Sequence, residues 1–146
     1  MRFSLDLVQD DIMAFLDENL AQHVEYHSFV DYELVARNRR GGIRSFYVVS
    51  FGDLQSKWRF SMAGARGDDY EMPIYIQAVS DDPDVARQLQ NHITNLLLGK
   101  SFRFSGQVRK RPGGNMWPVA NSDNATEAYS AAASFGLLVQ VVNVET

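Results

Sequence analysis

The sequence predicts an α+β fold, with a mainly antiparallel or mixed sheet that carries an N-terminal helix and one long helix. Two segments have apolar residues at helical spacing, and several segments with alternating apolar residues lie around them. Short glycine-containing turns separate the alternating segments, as is typical of hairpins. Since the 146 residues contain no repeat and no linker, we expect residues 1–146 to form a single domain with a sizeable core.

The first helix is predicted over residues 4–22. Ser4 can cap its N-terminus, and Asp6 lies in the first turn, where the helix dipole favours a negative charge. The apolar stripe consists of Leu5, Val8, Ile12, Phe15, Leu16 and Leu20. Acidic residues fall outside this stripe, and they are Asp10, Asp11, Asp17 and Glu18.

Hairpin strands are predicted for the next part of the chain. A period of two begins at Val24, and β-branched and aromatic residues dominate the run that ends at Phe51. The predicted strands cover residues 24–35, 43–51 and 57–63, and the predicted turn and loop cover 37–42 and 64–69.

A central strand and a capped helix are predicted next. Residues 73–79 are apolar on both faces, which indicates a central position in the sheet. The helix begins with Asp82 as N-cap and Pro83 at its first position, and Gly99 provides a C-terminal stop. Its buried stripe is Val85, Leu89, Ile93, Leu96 and Leu97.

The last third of the chain is predicted to be strand, turn, loop and strand. Residues 102–108 form a short strand, and the arginine-rich segment 109–115 contains Pro and two glycines, which predict a turn. We expect a loose loop over 115–127. A long β-rich run over 130–144 forms the last strand.

Composition excludes several classes of function. With 14 Lys and Arg against 18 Asp and Glu, the chain has no excess of positive charge for gripping nucleic acid. Because cysteine is absent, disulfide frameworks, thiolate zinc sites and cysteine nucleophiles are excluded. The N-terminal segment lacks the apolar core of a signal peptide, and no apolar run approaches the roughly 20 residues of a membrane span. We therefore expect a soluble protein.

The signs of the charges alternate in blocks along the chain. Residues 1–36 and 67–84 are acidic, whereas 37–66 and 85–122 are basic. One interpretation is that opposite blocks pair within the fold or form solvated faces. The other is a molecule with an acidic and a basic side, which can dock head to tail on copies of itself.

No constellation of residues predicts catalysis. His23 and His27 flank Glu25 without the spacing of a metalloprotease, and two histidines on a polar face is the favoured interpretation. Helix capping explains the acidic cluster of Asp81, Asp82 and Asp84 better than a magnesium site does. We predict no catalytic residue, no metal and no cofactor, and hence a protein that is not an enzyme.

Two basic segments are the best candidates for contact with a polyanion. They are residues 37–44 and 100–111, and Phe102 and Trp117 lie close enough in sequence to supply base stacking. The alternative is ordinary: arginine-rich hairpin tips are commonly solvated, and a tryptophan more often fills the core.

Three parts of the chain together resemble the tail terminator (tail completion) proteins of long-tailed bacteriophages. They are the strand 46–51, the strand and capped helix 73–89 with its end at Leu98-Gly99-Lys100, and the long last strand after a Gly/Pro turn. The resemblance implies a virion protein that forms a ring, usually of six subunits, at the head-proximal end of the tail. Such a ring caps the tail tube, ends polymerisation and presents a surface for head–tail joining.

The resemblance also implies partners. They are further copies of the chain, the tail tube protein and a head-side connector protein, with DNA passing through the lumen without specific binding and no membrane. We expect assembly in the host cytoplasm. Two alternatives remain, namely another head–tail connector or tail tube subunit and, from a different class, an accessory nucleic-acid-binding protein.

Candidate contact residues follow from the charge blocks. We predict a subunit interface between acidic residues of the first helix in one copy and a basic segment of the next, with Asp10, Asp17 and Glu18 facing Arg39, Arg40 and Arg44. The contact with tube or connector is predicted at Arg109, Lys110, Arg111 and Trp117.

Overall fold

Two helices and nine strands make up the described part of the chain in this computed structural model. The structure describes residues 5–26, 43–57, 60–61, 64–65, 69–102, 105–112, 116–120 and 126–140. The helices are α1 (Leu5–Asn19) and α2 (Pro83–Leu97). The strands are β1 (His23–Tyr26), β2 (Phe46–Phe51), β3 (Gln55–Lys57), β4 (Phe60–Ser61), β5 (Gly64–Ala65), β6 (Asp69–Ser80), β7 (Ser105–Lys110), β8 (Met116–Ala120) and β9 (Thr126–Gln140).

Seven of these strands form one sheet, which confirms the α+β fold class. The order across it is β1-β2-β6-β9-β7, with β3 paired to β6 and β8 paired to β9. All pairs in the sheet are antiparallel except β1 with β2, which is parallel. The short strands β4 and β5 pair separately.

The two long strands β6 and β9 form the spine of the sheet. They pair without a shift from Asp69↔Gln140 to Ser80↔Tyr129, and β2 and β3 pair with the other edge of β6. The prediction that residues 73–79 are central is therefore confirmed. The second edge of β9 is divided, because β8 pairs with its first half and β7 with its second half.

One face of the sheet, the helix face, carries both helices and the main core. From the helices, Val8, Ile12, Leu16, Ala86, Ile93 and Leu97 are buried. From the strands, Tyr47, Val49, Met72, Ile74, Ile76, Ala133, Phe135, Leu137, Val139 and Val108 are buried. The Tyr47 hydroxyl donates a hydrogen bond to the carbonyl of Leu89 at 3.2 Å, which ties α2 to the sheet.

The opposite face, the outer face, is covered over only part of its area. A small buried cluster occupies one end, formed by Ile43, Phe46, Val48, Val79 and Ala128. Beyond it lie small or polar side chains together with the buried Pro73 and the half-buried Leu138, and Tyr75 stands 43% exposed in the middle of the sheet. Strand alternation places Tyr75 and the core residue Ile74 on opposite faces.

Helix α2 begins and ends as predicted. The Asp82 carboxylate accepts a hydrogen bond from the backbone N–H of Asp84 at 2.9 Å, and Pro83 occupies the first position. Past the last helical residue, Gly99 has a φ of 79°, a left-handed conformation that glycine adopts without strain. The predicted capping role of Asp82 is confirmed.

Several predicted boundaries were wrong because the sheet recruits residues that lack a strand signal. Strand β7 runs to Lys110, so Arg109 and Lys110 lie in a strand and not in the predicted turn. Strand β8 lies inside the predicted loose loop, and β5 lies inside the predicted loop 64–69. The free backbone edge of β9 needs hydrogen-bond partners, and β7 and β8 supply them regardless of their composition.

The N-terminal predictions are tested only in part. Helix α1 ends at Asn19 and not at residue 22. Strand β1 shows the start of the predicted strand 24–35, but residues 27–42, with the predicted arginine turn, lie outside the described residues. In the described part of the chain, no helix has the length and apolar character needed to cross a bilayer.

Candidate functional site

The solvent-facing side of α1 is acidic. Asp10, Asp17 and Glu18 are all exposed, because the apolar stripe of the same helix turns Val8 and Ile12 into the core. None of the three acids forms an ion pair with another described residue. These three residues therefore place negative charge on the surface of the described part of the chain.

The basic partner predicted for this acidic surface is described at one position. Arg44 is exposed and lies two residues before β2, and it forms no ion pair with α1 within the described residues. Arg39 and Arg40 lie outside the described residues. Among the described residues of one copy, Arg44 thus forms no ion pair with the predicted acidic partners on α1.

Opposite charge blocks do pair internally, and two such ion pairs lie within the described residues. Arg87 contacts Asp84 at 2.9 Å on the exposed first turns of α2, and Arg111 contacts Glu71 at 3.0 Å. The first pair is strongly solvated and contributes little to stability. The interpretation that blocks pair within the fold therefore holds for these residues, while Asp10, Asp17 and Glu18 form no ion pair with another described residue.

The four residues predicted to contact the tube or connector have different surroundings. Arg109 is exposed on β7. Lys110 is exposed as well, but its ammonium lies 5.5 Å from the centre of the Phe135 ring and 3.3 Å from the carbonyl of Ser134. Trp117 lies on β8 opposite Ser130, and its side chain is outside the described residues.

Arg111 joins β7 to β6 across the intervening strand β9. Its guanidinium reaches Glu71, and the Glu71 side chain crosses the sheet directly above Gly136. A Cβ at position 136 would lie 2.6 Å from Glu71 Oε1, so only glycine leaves room for this path. Arg111 therefore has a structural role, which the sequence signals only through a glycine inside an apolar strand.

Tyr75 is the outer-face residue that sequence reasoning missed. Its direct neighbours on β2 and β9 are Ser50 and Ser134, both half-buried and small. The sequence pattern placed an aromatic side chain on the second face of a central strand. It did not show that this part of the face stays uncovered.

The described residues hold little that points to catalysis. No group of three or more His, Asp or Glu side chains converges as a metal site in the described ranges. His92 is exposed on α2, the His23 side chain is outside the description, and so is His27. Burial raises the pKa of Tyr47 to about 12, and its hydroxyl serves as a core hydrogen-bond donor.

Comparison with known proteins adds evidence on the fold alone. No family model matches the chain, and no curated protein matches it either. A solved structure of nearly the same extent is similar, with a TM-score of 0.51 and 16% identity, over 97% of this chain and 99% of that chain. At this identity the likeness concerns the fold, which the two chains share over nearly their whole lengths.

Proposed function

We propose that this protein is a subunit of a ring that caps the tail tube of a long-tailed bacteriophage. In this role it ends tail polymerisation and offers a surface for head–tail joining. The order of elements supports the proposal, since strand β2, strand β6 with the Asp82-capped helix, and the long strand β9 correspond to the parts that resemble tail terminators.

Self-assembly is supported by a set of exposed charges that form no ion pair within the described residues. Asp10, Asp17 and Glu18 are exposed on α1, and Arg44 and Arg109 are exposed elsewhere, none of them in an ion pair within the described residues. One copy thus offers both signs at different places. When two different surfaces of identical chains bind each other, each copy is rotated by the same angle relative to the copy before it. The assembly forms a closed ring if these rotations add up to a full turn.

Charge alone does not hold such a ring together. Exposed ion pairs contribute about 0–1 kcal/mol each, so they set register and direction while apolar burial supplies most of the affinity. A stable contact should bury at least about 1,000 Å² in total. In this proposal Arg109 and Trp117 face the tube or the connector, and Lys110 and Arg111 support the strand that presents them.

The proposal is tested by assembly and by electron microscopy. Sedimentation velocity over a range of concentrations should show a closed oligomer, and images of the protein mixed with tail tubes should show density at one tube end. Reversing three charges with Asp10→Lys, Asp17→Lys and Glu18→Lys should shift the oligomer towards monomer. The matched control is Asp53→Lys, which reverses an exposed acid outside α1.

Other results would favour other functions. A chain that stays monomeric at every concentration and leaves tube ends bare contradicts the proposal. If that monomer also retards duplex DNA at physiological salt, an accessory nucleic-acid-binding protein is the better interpretation. Incorporation along the tube, and not at its end, would identify a tube subunit.

A further inference from the structure

An aromatic side chain stands exposed at the centre of the sheet. Tyr75 belongs to β6, which pairs with β2 on one side and β9 on the other, yet 43% of the residue is exposed. Its cross-strand neighbours Ser50 and Ser134 are too small to cover the ring. Gln77 and Ala132 continue this low surface on the next row towards the buried cluster.

The Tyr75 ring is held in place from one side. The backbone N–H of Gly52 donates to the carbonyl of Pro73 at 2.9 Å, which brings Gly52 against both residues. A Cβ at position 52 would lie 3.0 Å from the Pro73 ring and 3.2 Å from Tyr75 Cε2. An aromatic group fixed on a rigid central strand loses little entropy on binding, as is typical of interface anchors.

A positive charge borders this surface. Arg109 is exposed and lies opposite Gly136, which is itself opposite Pro73. Arg109 is therefore two strands from the Tyr75 strand, on the order of 10 Å away. We call the surface formed by Tyr75, Ser50, Ser134 and Arg109 the Tyr75 patch.

The chain itself carries a surface of matching chemistry. Leu7 on α1 is 37% exposed, and it lies between the exposed acids Asp6 and Asp10. Both acids lie on the same side of Leu7 around the helix axis, so this helix surface offers one apolar side chain with negative charge along one side. The Tyr75 patch offers one aromatic side chain bordered by the Arg111–Glu71 ion pair and by the exposed Arg109, so the net charge of its border is positive. A helix about 10 Å wide that lies on Tyr75 reaches Arg109 as well.

We propose that the Tyr75 patch of one copy binds the N-terminal half of α1 of a second copy. Leu7 packs against the Tyr75 ring, and Asp6 and Asp10 face Arg109, so that in this arrangement Arg109 serves the contact between copies and Trp117 remains for the tube or the connector. Asp17 and Glu18 lie about 15 Å further along the helix and stay available to the basic segment that includes Arg44. The inference rests on the proposed ring, and it names an apolar contact that the ring requires.

The contact uses two different surfaces of the same chain, so each copy both offers a helix and receives one. Repetition of this contact builds a ring or a filament and does not stop at a symmetric dimer. The geometry thus adds an apolar contact to the charge pairing that sets the direction of assembly.

The test compares substitutions of large apolar residues with similar exposure, between 37% and 43%. Tyr75→Thr and Leu7→Gln should each raise the concentration of half-assembly at least about tenfold in sedimentation velocity. The controls are Met116→Thr, on an exposed strand residue, and Leu98→Gln, on an exposed leucine at the end of α2; these residues are 42% and 43% exposed. Both controls should assemble like the unmodified chain.

A charge exchange tests the pairing itself. Arg109→Asp and Asp10→Arg should each weaken assembly, and the double variant should recover most of the loss, because the pair is restored with its signs exchanged. Circular dichroism and unfolding curves of each variant show that the subunit remains folded.

Two outcomes would overturn the inference while leaving the proposed ring intact. One is unchanged assembly of both Tyr75→Thr and Leu7→Gln. The other is a Tyr75→Thr chain that forms normal rings but no longer binds tube ends, which would assign the patch to the tube protein. If the unmodified chain never assembles, both proposals fail together.

Discussion

The two faces of the sheet are formed by the same strands but differ in how far they are covered. On the helix face, α1 and α2 cover a continuous apolar surface in which Phe135 and Tyr47 are fully buried. On the outer face, Ser134 and Tyr75 lie one residue away from core positions and remain partly exposed. The helix face therefore determines folding, whereas the open part of the outer face is free to serve a partner.

The largest change in stability is expected at Phe135, which is fully buried on the helix face. Phe135→Ala should lower the free energy of unfolding by about 3–5 kcal/mol, because it removes a buried aromatic ring and leaves a cavity. The neighbouring change Ser134→Ala, on the outer face, should cost less than about 0.5 kcal/mol. Urea unfolding of both variants measures the difference, and equal losses would contradict the division between faces.

A second effect on the helix face depends on pH. Burial raises the pKa of Tyr47 to about 12, while the pKa of a tyrosine in the unfolded chain is about 10. Above pH of about 10 the unfolded state loses this proton first, so stability falls as pH rises towards 12, by up to about 2–3 kcal/mol. Below that range Tyr47 adds no pH dependence.

Denaturant unfolding between pH 9 and 12 checks this expectation. Tyr47→Phe should remove this contribution to the fall of the unfolding free energy with pH. It should also cost about 1 kcal/mol at every pH, for the lost hydrogen bond to Leu89. If the unfolding free energy falls equally steeply with pH in both proteins, groups other than Tyr47 cause the loss of stability at high pH.

A smaller effect tests the ion pair on the outer face. Gly136→Ala should cost about 1 kcal/mol, because its Cβ displaces the Glu71 carboxylate from Arg111. In a Glu71→Gln background the loss should be smaller, since the pair is already weakened. The matched control is Gly106→Ala, whose Cβ would make an ordinary contact at 3.6 Å with Leu138 and should change stability little.

The smallest change in stability is expected at Tyr75 on the outer face. Tyr75→Thr should change the free energy of unfolding by less than about 0.5 kcal/mol while weakening assembly strongly. Thermal unfolding at a concentration where the chain is monomeric measures the first quantity. A large loss of monomer stability would show that Tyr75 belongs to the fold and not to an interface.

Sequence reasoning predicted the elements whose signals are local. The Asp82-Pro83 start of α2, the stripe of α1 and the central position of β6 depend on spacing and capping within a few residues. Strands β7 and β8 escaped prediction over part or all of their lengths, because an available edge of β9 imposed them. For the same reason, Arg109 and Lys110 were misplaced in a turn.

The candidate site divides in the same way. Exposure of Asp10, Asp17 and Glu18 follows from the helical period of α1, so the sequence was enough to place these charges outside. The partnership of Arg111 with Glu71 joins residues forty positions apart across a third strand. No local pattern encodes such a contact.

Periodicity and chemistry between near neighbours are enough to show which residues prefer helix, which strand has two apolar faces, and on which side of α1 Asp10, Asp17 and Glu18 lie. Three features come from tertiary packing: β9 pairs with two strands on one edge, the Glu71 side chain passes over the backbone of Gly136 to reach Arg111, and Tyr75 is 43% exposed. These features depend on which distant segments pack together, and a single strand does not specify what covers its second face.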